Sequence, residues 1–231
     1  MIILVFSKDL GSAVIFFAGY LIMVFIATKN YFYLFAGILG GAGASIVAYH
    51  MFSHVRTRVI AFLHPWSNIN DSGYQITQSL FAIGTGGWFG LGIDQGDPTS
   101  IPYVEQDFVF SAVAEEMGVI FGICLILVCV SCFIVFMKIA MQLKEDFYRY
   151  IAVGISTIYI FQVFLTIGGG TRFIPLTGVT LPLVSYGGSS VLTTIIMFSI
   201  IQGLYCIQSQ EGKRNARKER RRTADREAGE E

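Results

Sequence analysis

Apolar residues run through this chain in five long blocks, roughly residues 11–27, 31–53, 117–137, 150–170 and 187–207, and none of the blocks contains Asp, Glu, Lys or Arg. Crossing a hydrocarbon core takes about 20 helical residues. A helix also satisfies its own backbone, which lipid cannot do for it. The pattern therefore predicts five complete membrane-spanning helices. Ahead of them MIILVF reads as the end of a further helix truncated at Met1. Lys8 and Asp9 follow it, without the basic leader or small-residue cleavage site of a signal peptide. The expected fold is all-α and polytopic, with a membrane domain over residues 1–207 and a polar, disordered tail over 208–231.

The polar intervals divide by charge. Eight of the sixteen Lys and Arg residues lie after Gln210, and Lys138, Lys144 and Arg149 flank the interval before the fourth block. Basic residues collect on the cytoplasmic side, and these two places are separated by two spans. The C-terminus is therefore expected in the cytoplasm, and residues 54–116 and 171–186 outside. Asp71, Asp94, Asp97, Glu105, Asp107, Glu115 and Glu116 all fall in the first outer interval. That interval, about sixty residues, is too long for a simple connector. It holds a turn-rich entry, an amphipathic helix beginning near Gln78 that dissolves into glycines, and an irregular stretch up to about Val109. The second outer interval interleaves Gly, Pro and hydroxyl residues with apolar ones. That mixture suits irregular backbone dipping to membrane depth along a cavity.

Composition supports the same placement. The chain is 54% apolar and 14% charged, against roughly a quarter charged in soluble domains. Cys124, Cys129, Cys132 and Cys206 all lie within predicted spans, where Cys129-x-x-Cys132 reads as apolar packing. His50 and His54, four apart without a carboxylate neighbour, read as an interfacial pair. No Walker loop, zinc-protease helix or nucleophile elbow is present, which removes support for ATPase, zinc peptidase and α/β-hydrolase functions.

Asp107 stands at the start of the third span, and i, i+4 spacing places Asp107, Ser111 and Glu115 on one helix face. A carboxyl at the mouth of a membrane cavity can be raised into the range of a general base. A helix N-terminus equally favours an acid for its dipole alone. At least one of Glu115 and Glu116 is expected to pair with Arg56, Arg58 or Arg172. Lys8, Arg56, Arg58 and Arg172 are the outer-side cations and could hold an anionic group. Gln75 and Gln78 share one face of the amphipathic helix and could hydrogen-bond a sugar.

Six segments match one family in order and spacing. They are Lys8-Asp9-Leu10-Gly11, Ser72-Gly73-Tyr74-Gln75 with Gln78-Ser79, Ala82-Ile83-Gly84 with Gly86-Gly87, Asp107-Phe108-Val109-Phe110, Ala114-Glu115-Glu116 with Gly118, and PLTGVTLPLVSYGGSS over residues 175–190. From Lys8 to Ile207 the chain resembles the SEDS family (shape, elongation, division and sporulation) of peptidoglycan polymerases. That resemblance implies ten spans, of which the match begins near the end of the fifth. It implies lipid II as substrate, polymerised by an inverting glycosyl transfer at the inner membrane of a bacterium. Asp107 falls on the family's proposed catalytic acid. Lys8, Arg56, Gln75, Gln78, Glu105, Arg172, Ser185, Tyr186, Gly187, Gly188 and Ser189 are the expected substrate contacts, the glycines allowing close backbone approach. A class B penicillin-binding protein is the implied partner, with membrane lipids and no nucleic acid. A divalent cation, Mg or Mn, could bind at Asp107 in place of outer cations. Glu105-Gln106-Asp107 departs from the His-Thr-Asp of many members, and Tyr103 stands where they have Glu. The competing readings are a non-catalytic lipid II binder, transporter or scaffold, and an inactive truncated copy.

Overall fold

The computed structural model describes residues 9–69, 71 and 73–227. MIILVF and Lys8 lie outside them. The described residues form seven α-helices, α1 (Leu10–Thr28), α2 (Tyr31–Met51), α3 (Ser53–Leu63), α4 (Tyr74–Gly86), α5 (Val109–Gln142), α6 (Asp146–Gly170) and α7 (Gly188–Glu227), with short 3-10 turns at Trp66–Asn68 and Pro98–Ser100. Five are long and apolar enough to cross a membrane: α1, α2, α5, α6 and the Gly188–Gln210 part of α7. They coincide with the five predicted blocks. Helix α3 opens the outer interval, ahead of the turn-rich stretch that follows it from His64. Helix α7 continues through residues 208–227, where disorder was expected. Ala, Arg, Lys and Glu dominate that stretch, and all four extend an existing helix at little cost.

The short connections are set by local chemistry. Asp9 caps α1, its carboxylate accepting the Ser12 N–H at 3.0 Å. Two residues turn α1 into α2. Lys29 takes the left-handed conformation (φ 53°), and Asn30 caps the next helix through the Phe32 N–H at 2.9 Å. Helix α6 lies at the centre and packs on α5, α1 and α7. Phe136, Tyr159 and Phe198 from those helices meet edge to face, with centroids 4.9–5.8 Å apart. Small residues let α1 approach α6. A Cβ at Gly154 would already sit 3.0 Å from the Met23 sulfur. Helix α2 buries no residue at all.

The third span begins at Val109, where the irregular stretch was expected to end, and α5 is two helical pieces joined at Gly118 (φ 84°, ψ 166°). That backbone region is essentially open to glycine alone. The break orphans the carbonyls of Glu115 and Glu116 and the N–H groups of Val119 and Ile120. Residues 87–92 take their place. Leu91 and Gly92 donate to the Glu115 and Glu116 carbonyls at 2.9 Å each, and Val119 and Ile120 donate to Gly87 and Trp88 at 2.9 and 3.3 Å. The backbones cross so closely that Cβ atoms have no room. One at Gly86 would lie 2.7 Å from the Glu115 Cα, and one at Gly90 2.6 Å from the Gly118 nitrogen. Two glycine-bearing segments far apart in sequence thus form one joint.

That joint overturns the expected ion pairs of Glu115 and Glu116. Glu115 accepts the Asp97 N–H at 3.4 Å and Glu116 the Asp94 N–H at 3.2 Å. The kink sets both carboxylates on the 94–97 turn, and among the described residues neither forms an ion pair with Arg56, Arg58 or Arg172. Among the described residues the ion pair formed is Arg149 with Asp146.

Gly118→Ala should destabilise the protein by more than about 1–3 kcal/mol, the usual cost of a backbone outlier, because its Cβ would also collide with the Gly90 nitrogen and the Trp88 carbonyl oxygen. Thermal unfolding in detergent should show a lower midpoint for Gly118→Ala and an unchanged one for Gly188→Ala.

Candidate functional site

Asp107 ends the irregular segment before α5. Beneath it Phe108 and Ile101 are fully buried and pack with Ala82, Val104 and Leu176. This small core fixes the segment against α4 and the 171–187 loop. Tyr103 turns the chain with a left-handed φ of 60°, and its carbonyl accepts the Asp107 N–H at 3.1 Å. The predicted face of Asp107, Ser111 and Glu115 separates into three roles. Ser111 is buried 2.6 Å from the Ser79 hydroxyl, which donates to the Gly170 carbonyl at 2.7 Å. Glu115 holds the 94–97 turn. Asp107 is left half-buried beside Arg58.

Arg58 comes from α3. One guanidinium nitrogen donates to the carbonyls of Thr177 at 2.9 Å and Leu176 at 3.3 Å. A Cβ built on Gly178 (φ 74°) would lie 3.6 Å from Arg58 Nη2 and 3.7 Å from Asp107 Oδ2. Acid and base therefore converge on the bare Cα of Gly178. Burial holds the Asp107 carboxyl above its ordinary value, and the Arg58 charge pulls part of that rise back.

The 171–187 loop brings this turn into the bundle. Its backbone is satisfied by side chains from α6: Thr166 donates to the Val179 carbonyl at 2.8 Å and Gln162 to that of Thr180 at 3.0 Å. Gln162 lies eight residues before the helix end, about 12 Å down at 1.5 Å per residue. Irregular backbone thus descends beside α6 well below its C-terminal end. Between α1, α6, α7 and this loop opens a cavity of about 570 Å³, lined by groups that include Asp9, Gln106, Gln162, Gly178, Thr180 and Ser190. Its size is in the range of small-molecule sites.

The residues expected at a site fall in several places. Tyr186, Gly187 and Ser189 line the cavity. Ser185 is buried beneath it, accepting the Leu181 N–H at 2.8 Å and donating to the Gln106 carbonyl at 2.5 Å. Glu105 is exposed, and its carbonyl accepts the Tyr186 N–H at 2.8 Å. Gln75 and Gln78 are half-buried on α4, outside the cavity lining. Arg56 stacks 5.7 Å from the Tyr49 ring, and Arg172 donates to the Phe62 and Leu63 carbonyls at the end of α3. Lys8 lies outside the described residues. The reason given for Gly187 and Gly188 is corrected. A Cβ at Gly188 meets nothing within 4 Å, and one at Gly187 only an ordinary contact with Ser190. Close approach occurs instead at Gly86, Gly90 and Gly118. Arg58 was read only as one of four cations and not as the neighbour of Asp107, and Gln162 was not singled out, although a glutamine inside an apolar span was the available signal. Phe52, in extended conformation, puts His50 and His54 on separate helices. Among the described residues no three His, Cys, Asp or Glu side chains gather as a metal site.

Comparison with known proteins follows the same residues. A family model covering FtsW, RodA and SpoVE, described as a cell cycle protein, matches residues 1–210. A peptidoglycan glycosyltransferase RodA of Mycobacterium tuberculosis is 38% identical over 200 residues, 86% of this chain and 42% of that protein. A probable peptidoglycan glycosyltransferase FtsW of Aliivibrio salmonicida is 36% identical over 205 residues, 86% of this chain and 51% of that protein. The chain spans about half the length of these curated relatives. A solved chain, from a study of how a peptidoglycan synthase complex coordinates polymerization and crosslinking, is similar with a TM-score of 0.73 and 25% identity. That match covers 90% of this chain and 58% of the other.

If Arg58 offsets the effect of burial, Arg58→Gln must move the Asp107 pKa further up. Carbodiimide modifies the protonated carboxyl, so its labelling of Asp107, followed by mass spectrometry across pH, should fade at a higher pH in the variant. An unchanged midpoint would remove Arg58 from the electrostatics of the site.

Proposed function

Because the chain belongs to the FtsW, RodA and SpoVE family, we propose that it carries the reaction site of a multi-pass inner-membrane glycosyltransferase that polymerises lipid II into glycan strands. The observation that carries this reading is the placement of Asp107. It is a half-buried acid with a raised pKa, beside Arg58, against a loop that walls a cavity at the membrane.

In the proposed step a sugar 4-hydroxyl of one molecule attacks the anomeric carbon of another. The bond to the undecaprenyl diphosphate breaks as the new glycosidic bond forms, and configuration inverts. Asp107 accepts the hydroxyl proton. Burial raises its basicity towards the working pH, and Arg58 keeps it from remaining protonated. The departing diphosphate takes the bonding pair, and outer-side cations, Arg58 and Arg172 among them, lower its charge cost. A divalent cation at Asp107 would have to share that carboxylate with the guanidinium already beside it, so no step is assigned to a metal. Gln162, Thr180 and Ser190 offer hydrogen bonds to a glycan within the cavity. The transpeptidase partner is a class B penicillin-binding protein, a reading supported by the likeness to a chain of a peptidoglycan synthase complex.

A non-catalytic lipid II binder is favoured by one observation, the depth at which Gln162 and Thr194 line the cavity between apolar helices. The two readings part at Asp107. Asp107→Asn keeps size but loses the basic oxygen, and general bases contribute about 100- to 10,000-fold. Polymerisation of lipid II by the reconstituted full chain should therefore fall by at least the lower figure, with lipid II binding retained. Polymerisation near the unmodified rate would remove Asp107 as the base.

The same reading places the C-terminus in the cytoplasm. With Cys124, Cys129, Cys132 and Cys206 replaced by alanine, Ser100→Cys should react with an impermeant thiol reagent on spheroplasts, and Ser209→Cys should react only after lysis. The reverse pattern would put the cavity on the wrong side of the membrane for its substrate.

A further inference from the structure

Residues 87–93 carry an apolar surface that the proposed reaction does not use. Trp88 is 67% exposed, Phe89 85% and Ile93 73%, and Leu91 is exposed beside them. Such a group on a water-facing loop would be costly. No charged residue occurs between Tyr74 and Ile93. We propose that this segment is an interfacial anchor that seats Trp88, Phe89, Leu91 and Ile93 in the outer leaflet, at the boundary between headgroups and acyl chains.

Height is the first argument. The segment is hydrogen-bonded to α5 at residues 115, 116, 119 and 120. Lys138 ends the uncharged apolar run of the same helix, twenty residues beyond Gly118. Twenty residues at 1.5 Å span about 30 Å, the thickness of the hydrocarbon core. The joint at Gly118 therefore lies at the outer boundary, and the 87–93 segment with it.

Continuity is the second. Met117, Ile120 and Phe121 of α5 are exposed on either side of the joint, and Ile123, Leu127 and Val128 are exposed further down the helix. These belong to a helix long and apolar enough to cross a membrane, and on this proposal they face lipid. The apolar surface of the loop extends that lipid-facing surface upward without an intervening charge.

Backbone chemistry is the third. Irregular chain is excluded from lipid because its polar groups go unpaired. Here the carbonyls of Gly87 and Trp88 and the N–H groups of Leu91 and Gly92 are bonded to α5. The aromatic pair suits the boundary, where an amphipathic indole keeps its N–H in the wet layer while the ring is buried. Asp94 and Asp97, immediately after Ile93, stay on the aqueous side because their backbone N–H groups are held by Glu116 and Glu115.

The chain has two tryptophans, Trp66 and Trp88, which makes the test direct. Trp66→Phe leaves Trp88 as the reporter in the full chain, reconstituted in phosphatidylcholine and phosphatidylglycerol vesicles containing lipids spin-labelled near the headgroup or near the acyl end. The expected result is blue-shifted emission, weak acrylamide quenching, and stronger quenching by the shallow label than by the deep one. If Trp66→Phe fails to fold, subtracting Trp88→Phe from the unmodified chain yields the same quantity. Water-like emission with strong acrylamide quenching would overturn the anchor. So would stronger quenching by the deep label, which would mean a deeply inserted segment. Emission shielded from both acrylamide and lipid labels would also overturn it, assigning the surface to a protein partner or a second copy.

Discussion

Lipid offers a carbonyl or an amide nothing to bond to, and residues 171–187 have to carry non-helical backbone into that setting. Everything around the site answers this constraint. Gln162 and Thr166 reach out of α6 to the carbonyls of Thr180 and Val179, and Arg58 reaches out of α3 to Leu176 and Thr177. Ser185 ties the loop to Gln106. An unmade bond at such a place costs several kcal/mol, so these polar side chains are fixed before any ligand arrives. These bonds hold the cavity wall to α3 and α6.

Asp107 inherits its electrostatics from that arrangement. Arg58 is beside it because the loop carbonyls of 176 and 177 require a donor. The guanidinium therefore serves two masters. It satisfies the loop, and it supplies the charge that opposes the effect of burial on the acid. Structure and chemistry share one residue, which explains how a cation can be retained half-buried without a carboxylate in an ion pair with it.

Much of this was legible in the residues. Five apolar blocks without charge could be little other than helices in lipid, and the five spans lie where they were read. Irregular backbone at 171–187 followed from Gly, Pro and hydroxyl residues mixed with apolar ones. Other features depend on contacts between distant segments, which a single sequence does not carry. Glu115 and Glu116 looked like partners for arginine, because spacing says nothing of a kink that turns them onto residues 94 and 97. Gly187 and Gly188 looked like close-approach glycines, yet Gly86, Gly90 and Gly118 bear that role. The glycines at 86 and 118 stood in two separate motifs, and only the fold reveals a single crossing. Arg58 and Arg56 were equivalent in sequence, and the two-residue step between them, about 200° around the helix, sends one to the loop and the other onto Tyr49.

The hydrogen-bond chain from Ser111 through Ser79 to the Gly170 carbonyl has a mechanical meaning. Three helices are geared together at one buried point. A rotation or tilt of α6 that displaces Gly170 must break a 2.7 Å bond or drag Ser79 and Ser111 with it. Ser111 sits four residues after Asp107, on the first turn of α5. The position of the acid is therefore transmitted from the top of α6, a helix that contributes no atom to the acid itself. A force applied to the Asp146 end of α6 would reach the Asp107 end of α5 along this linkage.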